Sequence, residues 1–200
     1  MAKYENPKLI LFDLGGVLIE VRTETLRNFC SAGLNDAAIW EIWLTCDTVH
    51  EYESGKISEH EFALGVFKHF NSNMTAQAFL DSFAAWPVGF FPGAVDQLKR
   101  LKAKYRLAYL SNSNPVHYAR FQEEWNLNTY FDDHFASHLM GLAKPDPKIF
   151  LAVLAAVPFK PSEILFIDDN RLNVEAAQAL GIRSQIVRGG SELHRVLDLF

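Results

Sequence analysis

The chain of 200 residues is 49% hydrophobic and 22% charged, with a formal net charge of -5. That length suits one α/β domain, or a core with one insertion, and is enough to bury a sizeable hydrophobic core. The acidic balance and the lack of any Lys/Arg run exclude a nucleic-acid surface as the expectation, and no stretch reaches the ~20 apolar residues of a membrane span.

Cys30 and Cys46 fit neither zinc spacing nor a disulfide framework. Met1 is followed by Ala, Lys, Tyr and Glu rather than by a signal-peptide apolar run. Reduced thiols and a cytoplasmic setting are therefore expected.

In chain order, "LILF" (9–12) is a continuous apolar run, as in a strand covered on both faces. It ends on Asp13, followed by Leu14, Gly15 and Gly16. Residues 20–87 read as helical throughout. Ile39, Trp40, Trp43 and Leu44 recur at helical spacing, which predicts core packing. Ser58 and Glu61 form a capping box before Phe62, Val66, Phe67 and Phe70, and "SGK" (54–56) is a turn. "GFFPG" (89–93) is the expected exit hinge.

From residue 92 helices and strands alternate. Pro92 is placed for the first turn of a helix over 92–105, before the strand "RLAYLS" (106–111). Asn114 caps the next helix with Pro115 in its first turn. "DHFAS" (133–137) is a weaker strand signal. Asp146 and Pro147 repeat the capping device. "ILFI" (164–167) is a strand, "NRLNVEAAQALG" a helix stopped at Gly181, and "RSQIV" (183–187) the last strand. The pattern predicts an α/β fold. Residues 1–19 and 88–200 form a doubly wound, Rossmann-like parallel sheet, and residues 20–87 an inserted all-helical cap.

Polar residues stand at or just past the strand ends: Asp13, then Ser111 and Asn112, then Lys144 in "GLAKPDP", then Asp168 and Asp169 in "LFIDDN". Singly, each reads as a turn, cap or surface residue. In a doubly wound sheet, however, such ends converge on one crevice. There Asp13 can act as a nucleophile and form an aspartyl-phosphate. Asp169, with Asp168 beside it, can hold Mg²⁺, a hard cation that prefers oxygen. Ser111 can hydrogen-bond phosphoryl oxygens, and Lys144 can bring positive charge to them and keep Asp13 ionised.

This constellation resembles the haloacid dehalogenase superfamily, whose members are mostly Mg²⁺-dependent phosphatases. The likeness covers nearly the whole chain: the strand-Asp start, the helical insertion after it, the Ser/Asn strand end, the "KPDP" loop and the late acidic pair. It implies that Asp13 is the nucleophile, Ser111 and Asn112 bind phosphate, and Lys144 is the charge-neutralising catalytic base. It implies that Asp13, the Gly15 carbonyl and Asp169 ligate Mg²⁺, with Asp168 supporting or sharing it. Asn173 fits where many members place a further acid or amide. The implied substrate is a small phosphate ester, including a sugar phosphate such as glucose 1-phosphate. The sequence carries no signal of oligomeric state.

Gly15 departs from the family pattern. Most such phosphatases carry a second Asp there, which protonates the leaving group and then activates water. Without it, the rate is expected to depend steeply on leaving-group stability, unless Glu20, Glu51 or Glu53 replaces the acid. Those three read as ordinary solvated carboxylates. A metal-independent 2-haloacid dehalogenase also lacks the second acid, but the Asp168–Asp169 pair argues against it. A receiver-type signalling domain places its acidic pair at the first strand and its Lys last, unlike this chain. A non-catalytic phosphometabolite binder stays open because of Gly15. His134 and His138 read as exposed side chains, and His117 stands nearer the site.

Overall fold

The computed structural model describes residues 7–22, 35–70 and 74–200. β1 (Leu9–Phe12) is wholly buried. It pairs in parallel with β4 (Arg106–Ser111) on one side and β6 (Ile164–Asp168) on the other. β5 (Asp133–Ala136) flanks β4 and β7 (Arg183–Ile186) flanks β6, so the sheet runs β5-β4-β1-β6-β7.

The apolar run of β1 follows from cover on both faces, since alternate side chains point to opposite sides. Ile10 and Phe12 share a core with Leu98 and Leu101 of α5 (Ala94–Lys102) and Leu193 and Leu197 of α10 (Ser191–Leu197). Leu9 and Leu11 share another with Ile149, Phe150 and Val153 of α8 (Pro147–Ala156) and Ala177 of α9 (Arg171–Ala179). The sheet is doubly wound, as the strand and helix pattern implied.

The local caps form as read. Asn114 Oδ1 accepts the His117 N–H at 3.0 Å at the start of α6 (Pro115–Glu123), and Asp146 Oδ1 accepts that of Lys148 at 2.9 Å. Ser58 donates its N–H to Glu61 Oε2 at 2.8 Å. Pro92 differs: it precedes α5, which is entered through Gly93 at φ +79°.

Between β1 and β4 lie α1 (Asp36–Thr45), α2 (Asp47–Glu53), α3 (Glu59–Phe70) and α4 (Ala76–Ala84). They have their own aromatic core, in which Tyr52 stacks on Phe62 at 4.2 Å and Trp43 meets Trp86 at 4.8 Å. Ile39 and Trp43 are buried there as expected. Trp40 and Leu44 are not: they stay 38% and 43% exposed and line a cavity. Helical spacing marks an apolar stripe, and this stripe is wide enough to serve both a core and a cleft.

The segment is also not helical throughout. β2 (Ile19–Val21) and β3 (Pro87–Phe90) pair antiparallel where the chain leaves and rejoins the sheet. Strands this short carry too little periodicity to be read from sequence. Residues 23–34 and 71–73 of the expected cap, and Cys30 with them, lie outside the described residues. Cys46 is buried with a free thiol. His134 is exposed, whereas His138 is half-buried with its ring 5.1 Å from that of Tyr118. Among the described residues no helix is long and apolar enough to cross a membrane.

Candidate active site

The chain leaves β1 towards β4 and β5 on one side and later reaches β6 and β7 on the other. β1 is thus the switch point of the sheet, where a crevice opens at the carboxyl ends of the strands. Asp13 follows β1, Ser111 ends β4 and Asp168 ends β6. Lys144 enters from the loop before α8.

Lys144 Nζ lies 2.8 Å from Asp13 Oδ1 and 2.7 Å from Asp168 Oδ2. The lysine is buried and Asp168 is fully so. Buried charges persist only when paired and hydrogen-bonded. Asp168 meets that demand: it accepts the Asn170 N–H at 2.8 Å and Asn173 Nδ2 at 3.0 Å. Burial works against the Lys144 charge, but Asp13 and Asp168 outweigh it and hold the ammonium above the ordinary lysine range.

Asp13, Asp168 and Asp169 bring ligand oxygens within 4.8 Å of one another. Three carboxyl groups face one buried ammonium, with Arg188 acting on Asp169 from the cavity wall, so acidic groups outnumber the cations. Burial, and then the charge of Asp168, push Asp169 up to about 6. Asp13 is raised as well, by burial and by both neighbouring aspartates, with Lys144 pulling the other way. Clustered oxygen donors and an excess of acidic groups fit a hard divalent cation.

The two glycines differ in role. Gly16 has φ +74°, and a Cβ on it would stand 2.4 Å from Asp169 Oδ2. Only glycine lets the carboxylate approach this turn. Gly15 has no left-handed φ, and its Cβ would meet Val21 Cγ2 at an ordinary 3.4 Å. Gly16→Ala is therefore expected to cost roughly 1–2 kcal/mol from its backbone conformation and to displace Asp169. Gly15→Ala is expected to be near neutral in a thermal melt. Equal losses in the two variants would refute this assignment.

Asn112, expected to bind phosphate, lines the cavity, and its side chain is engaged with the Lys144 loop. Its Oδ1 accepts the Lys144 N–H at 2.8 Å and its Nδ2 donates to the Lys144 carbonyl at 2.9 Å. The amide holds the lysine loop in place. Ser111 is buried at the cavity edge. His117 does not line the cavity. Its Nε2 lies 2.7 Å from the Phe83 carbonyl, and burial pushes the ring down to about 4.

The cavity has a volume of about 600 Å³, within the usual range for a small-molecule site. Its wall includes residues that the sequence did not single out for chemistry: Trp40, Leu44, Phe91 and Arg188. A neighbouring lobe of about 420 Å³ is lined by Val49, His50, Pro145 and Leu172. Among the three acids read as solvated, Glu51 is exposed as expected and Glu20 is exposed on the wall. Glu53 is a correction. It is half-buried in the cavity, and desolvation pushes its carboxyl up to about 7 against the pull of Lys144 and a hydrogen bond from Asn112. Its place just before the "SGK" turn was the only local cue.

The family model of the haloacid dehalogenase-like hydrolases matches residues 7–181. The chain belongs to that family. It is similar to a D-ribitol-5-phosphate phosphatase of Bacteroides thetaiotaomicron, 29% identical over 204 residues that cover 96% of this chain and 97% of the relative. Phosphoglycolate phosphatase 1 of Pseudomonas aeruginosa is 29% identical over 194 residues, covering 88% of this chain and 68% of the relative. A family enzyme of Bacteroides thetaiotaomicron, crystallised with magnesium and inorganic phosphate, superposes with a TM-score of 0.78 at 29% identity. That alignment covers 96% of this chain and 99% of the other. As a member of the haloacid dehalogenase-like family, the protein is a hydrolase.

Proposed function

We propose that the protein is a Mg²⁺-dependent phosphatase of a small phosphorylated metabolite, working through an aspartyl-phosphate, an acyl phosphate on Asp13. The buried Asp13–Lys144–Asp168 chain beside Asp169 is the observation that carries this reading. Asp13 attacks phosphorus. Lys144 favours its ionised form against burial and faces the phosphoryl oxygens, and the Ser111 hydroxyl donates to them. Asp13, Asp169 and the Gly15 carbonyl would hold Mg²⁺. Asp168 supports it from behind, since its oxygens already serve Lys144, Asn170 and Asn173. The metal supplies charge neutralisation and alignment of the phosphoryl group. The helices of residues 20–87 act as the cap that excludes water and selects the substrate.

The same covalent strategy serves a metal-independent dehalogenase, but that chemistry leaves the cluster of three carboxylates without use. The relatives act on a polyol phosphate and on phosphoglycolate by name, which supports a small organic phosphate here. The test is a screen over ribitol 5-phosphate, phosphoglycolate, glucose 1-phosphate and other metabolite phosphates, with and without Mg²⁺. Metal-dependent release of phosphate from at least one compound supports the reading. Halide release in EDTA overturns it.

The exposed face of Trp40 offers the substrate body an apolar or aromatic contact. Such contacts contribute about 0.5–1.5 kcal/mol, so Trp40→Ala is expected to raise KM roughly 2- to 10-fold. The melting temperature should hold, because the ring is outside the core. A drop in Tm with an unchanged KM would assign Trp40 to packing instead.

A further inference from the structure

Hydrolysis of an alkyl phosphate expels an alkoxide unless a proton reaches the departing oxygen. This inference rests on the phosphatase reading and asks which group delivers that proton. Asp13 attacks and so cannot deliver it. The oxygens of Asp168 are taken by Lys144, Asn170 and Asn173. Asp169 belongs to the acidic trio, and Gly15 has no side chain. Among the described residues two carboxyls remain on the wall of this cavity, Glu20 and Glu53, while the exposed Glu41 borders only the neighbouring lobe.

Glu20 is exposed on β2, whereas Glu53 is half-buried. Glu53 is the last residue of α2, and its carbonyl accepts from the hydroxyl of the fully buried Ser137. Ser137 in turn accepts the Ser113 N–H at 2.9 Å, two residues past Ser111. Gly55, at φ +67°, lies so close to the His138 carbonyl that a Cβ would stand 2.4 Å from it. The end of α2 is therefore seated on the loop after β4 and on α7 (Ser137–Met140). That seat leaves the Glu53 side chain on the wall of the cavity that also holds Asp13, Asn112 and Lys144, and Lys144 pairs with Asp13. Held near neutrality by burial, this carboxyl can both give and take a proton.

We propose that Glu53 is the general acid–base of this site. In the first step an Asp13 oxygen bonds to phosphorus and the bond from phosphorus to the leaving oxygen breaks. That oxygen takes the Glu53 proton, which leaves Glu53 as a carboxylate. In the second step a water oxygen attacks the phosphorus of the aspartyl-phosphate and gives one proton to Glu53. The bond to Asp13 breaks, inorganic phosphate departs, and both side chains return to their starting states.

The test compares the full chain with Glu53→Gln, Glu53→Asp, Glu20→Gln and Glu51→Gln on 4-nitrophenyl phosphate and on a series of alkyl phosphates, with Mg²⁺ present. Glu53→Gln is expected to lower kcat/KM for alkyl phosphates roughly 10²- to 10⁴-fold, the usual contribution of general acid–base catalysis. The aryl ester should still release a burst of 4-nitrophenol, since its leaving group needs no proton. Steady turnover should then slow, because the water lacks its base. Glu53→Asp should recover part of the alkyl activity. Glu51→Gln, on the solvent side of α2, should match the unmodified chain. Equal losses of kcat/KM on aryl and alkyl esters, or none, would overturn the proposal and leave Glu53 a packing residue. Selective alkyl loss in Glu20→Gln instead would transfer the role to Glu20. If the unmodified chain hydrolyses no phosphate ester, the phosphatase reading fails and this proposal falls with it. If Asp13→Asn is inactive while Glu53→Gln tracks the unmodified chain, only this proposal fails.

Discussion

Asp13→Asn is expected to lose activity on the order of 10⁴- to 10⁶-fold, the scale seen when a covalent nucleophile is removed. An amide oxygen is too poor a nucleophile to attack phosphorus. The fold should survive the change, and the geometry says why. Lys144 keeps its 2.7 Å pair with Asp168, so no buried charge is orphaned. The substitution also removes one of three mutually repelling carboxylates from a buried site. The melting temperature without added metal should therefore hold or rise. Loss of activity with unchanged or higher Tm is the signature of a group retained for chemistry at the expense of stability. Retention of more than about a tenth of the activity would refute covalent catalysis by Asp13.

Chelation by EDTA is expected to remove activity and Mg²⁺ to restore it, and the two aspartates of the late pair should separate in their effects. Asp169→Ala should weaken Mg²⁺ binding roughly 10- to 100-fold or more, on the scale of altered metal-site groups, with little loss of Tm. Asp168→Ala removes the partner of a buried ammonium and of two amides. Breaking a buried pair on one side costs about 3–5 kcal/mol, so this variant should fall mainly in Tm. Protons compete with metal for the carboxylates. Because Asp169 is pushed up to about 6, Mg²⁺ affinity should tighten as pH rises from 5 to 8. Affinity that is flat across that range, or full activity in EDTA, would remove the metal from the reading.

Much of the architecture is local in origin and therefore legible in the chain. β1, β4 and β6 are apolar runs because both faces of the sheet are covered. Asn114 with Pro115, Asp146 with Pro147, and Ser58 with Glu61 cap helices through bonds spanning two or three residues. The order of Asp13, Ser111, Lys144 and the late acidic pair was readable for the same reason, since each follows or ends such an element.

What the sequence by itself determined was thus the sheet, its acidic strand ends and the family pattern they compose. Which side chains share the cavity was decided only by the tertiary structure. Trp40 and Leu44 satisfy the same spacing as the buried Ile39 and Trp43, because periodicity marks an apolar face without saying whether a core or a cleft covers it. Asn112 reads only as a polar strand end until the Lys144 backbone, 32 residues on, bonds both its amide oxygen and its amide nitrogen. Glu53 reads as a solvated helix-end acid until Ser137, 84 residues on, seats its backbone against the core. Burial and charge pairing are sums over neighbours far apart in the chain, and these sums turn one of three similar glutamates into a group that holds a proton near neutrality.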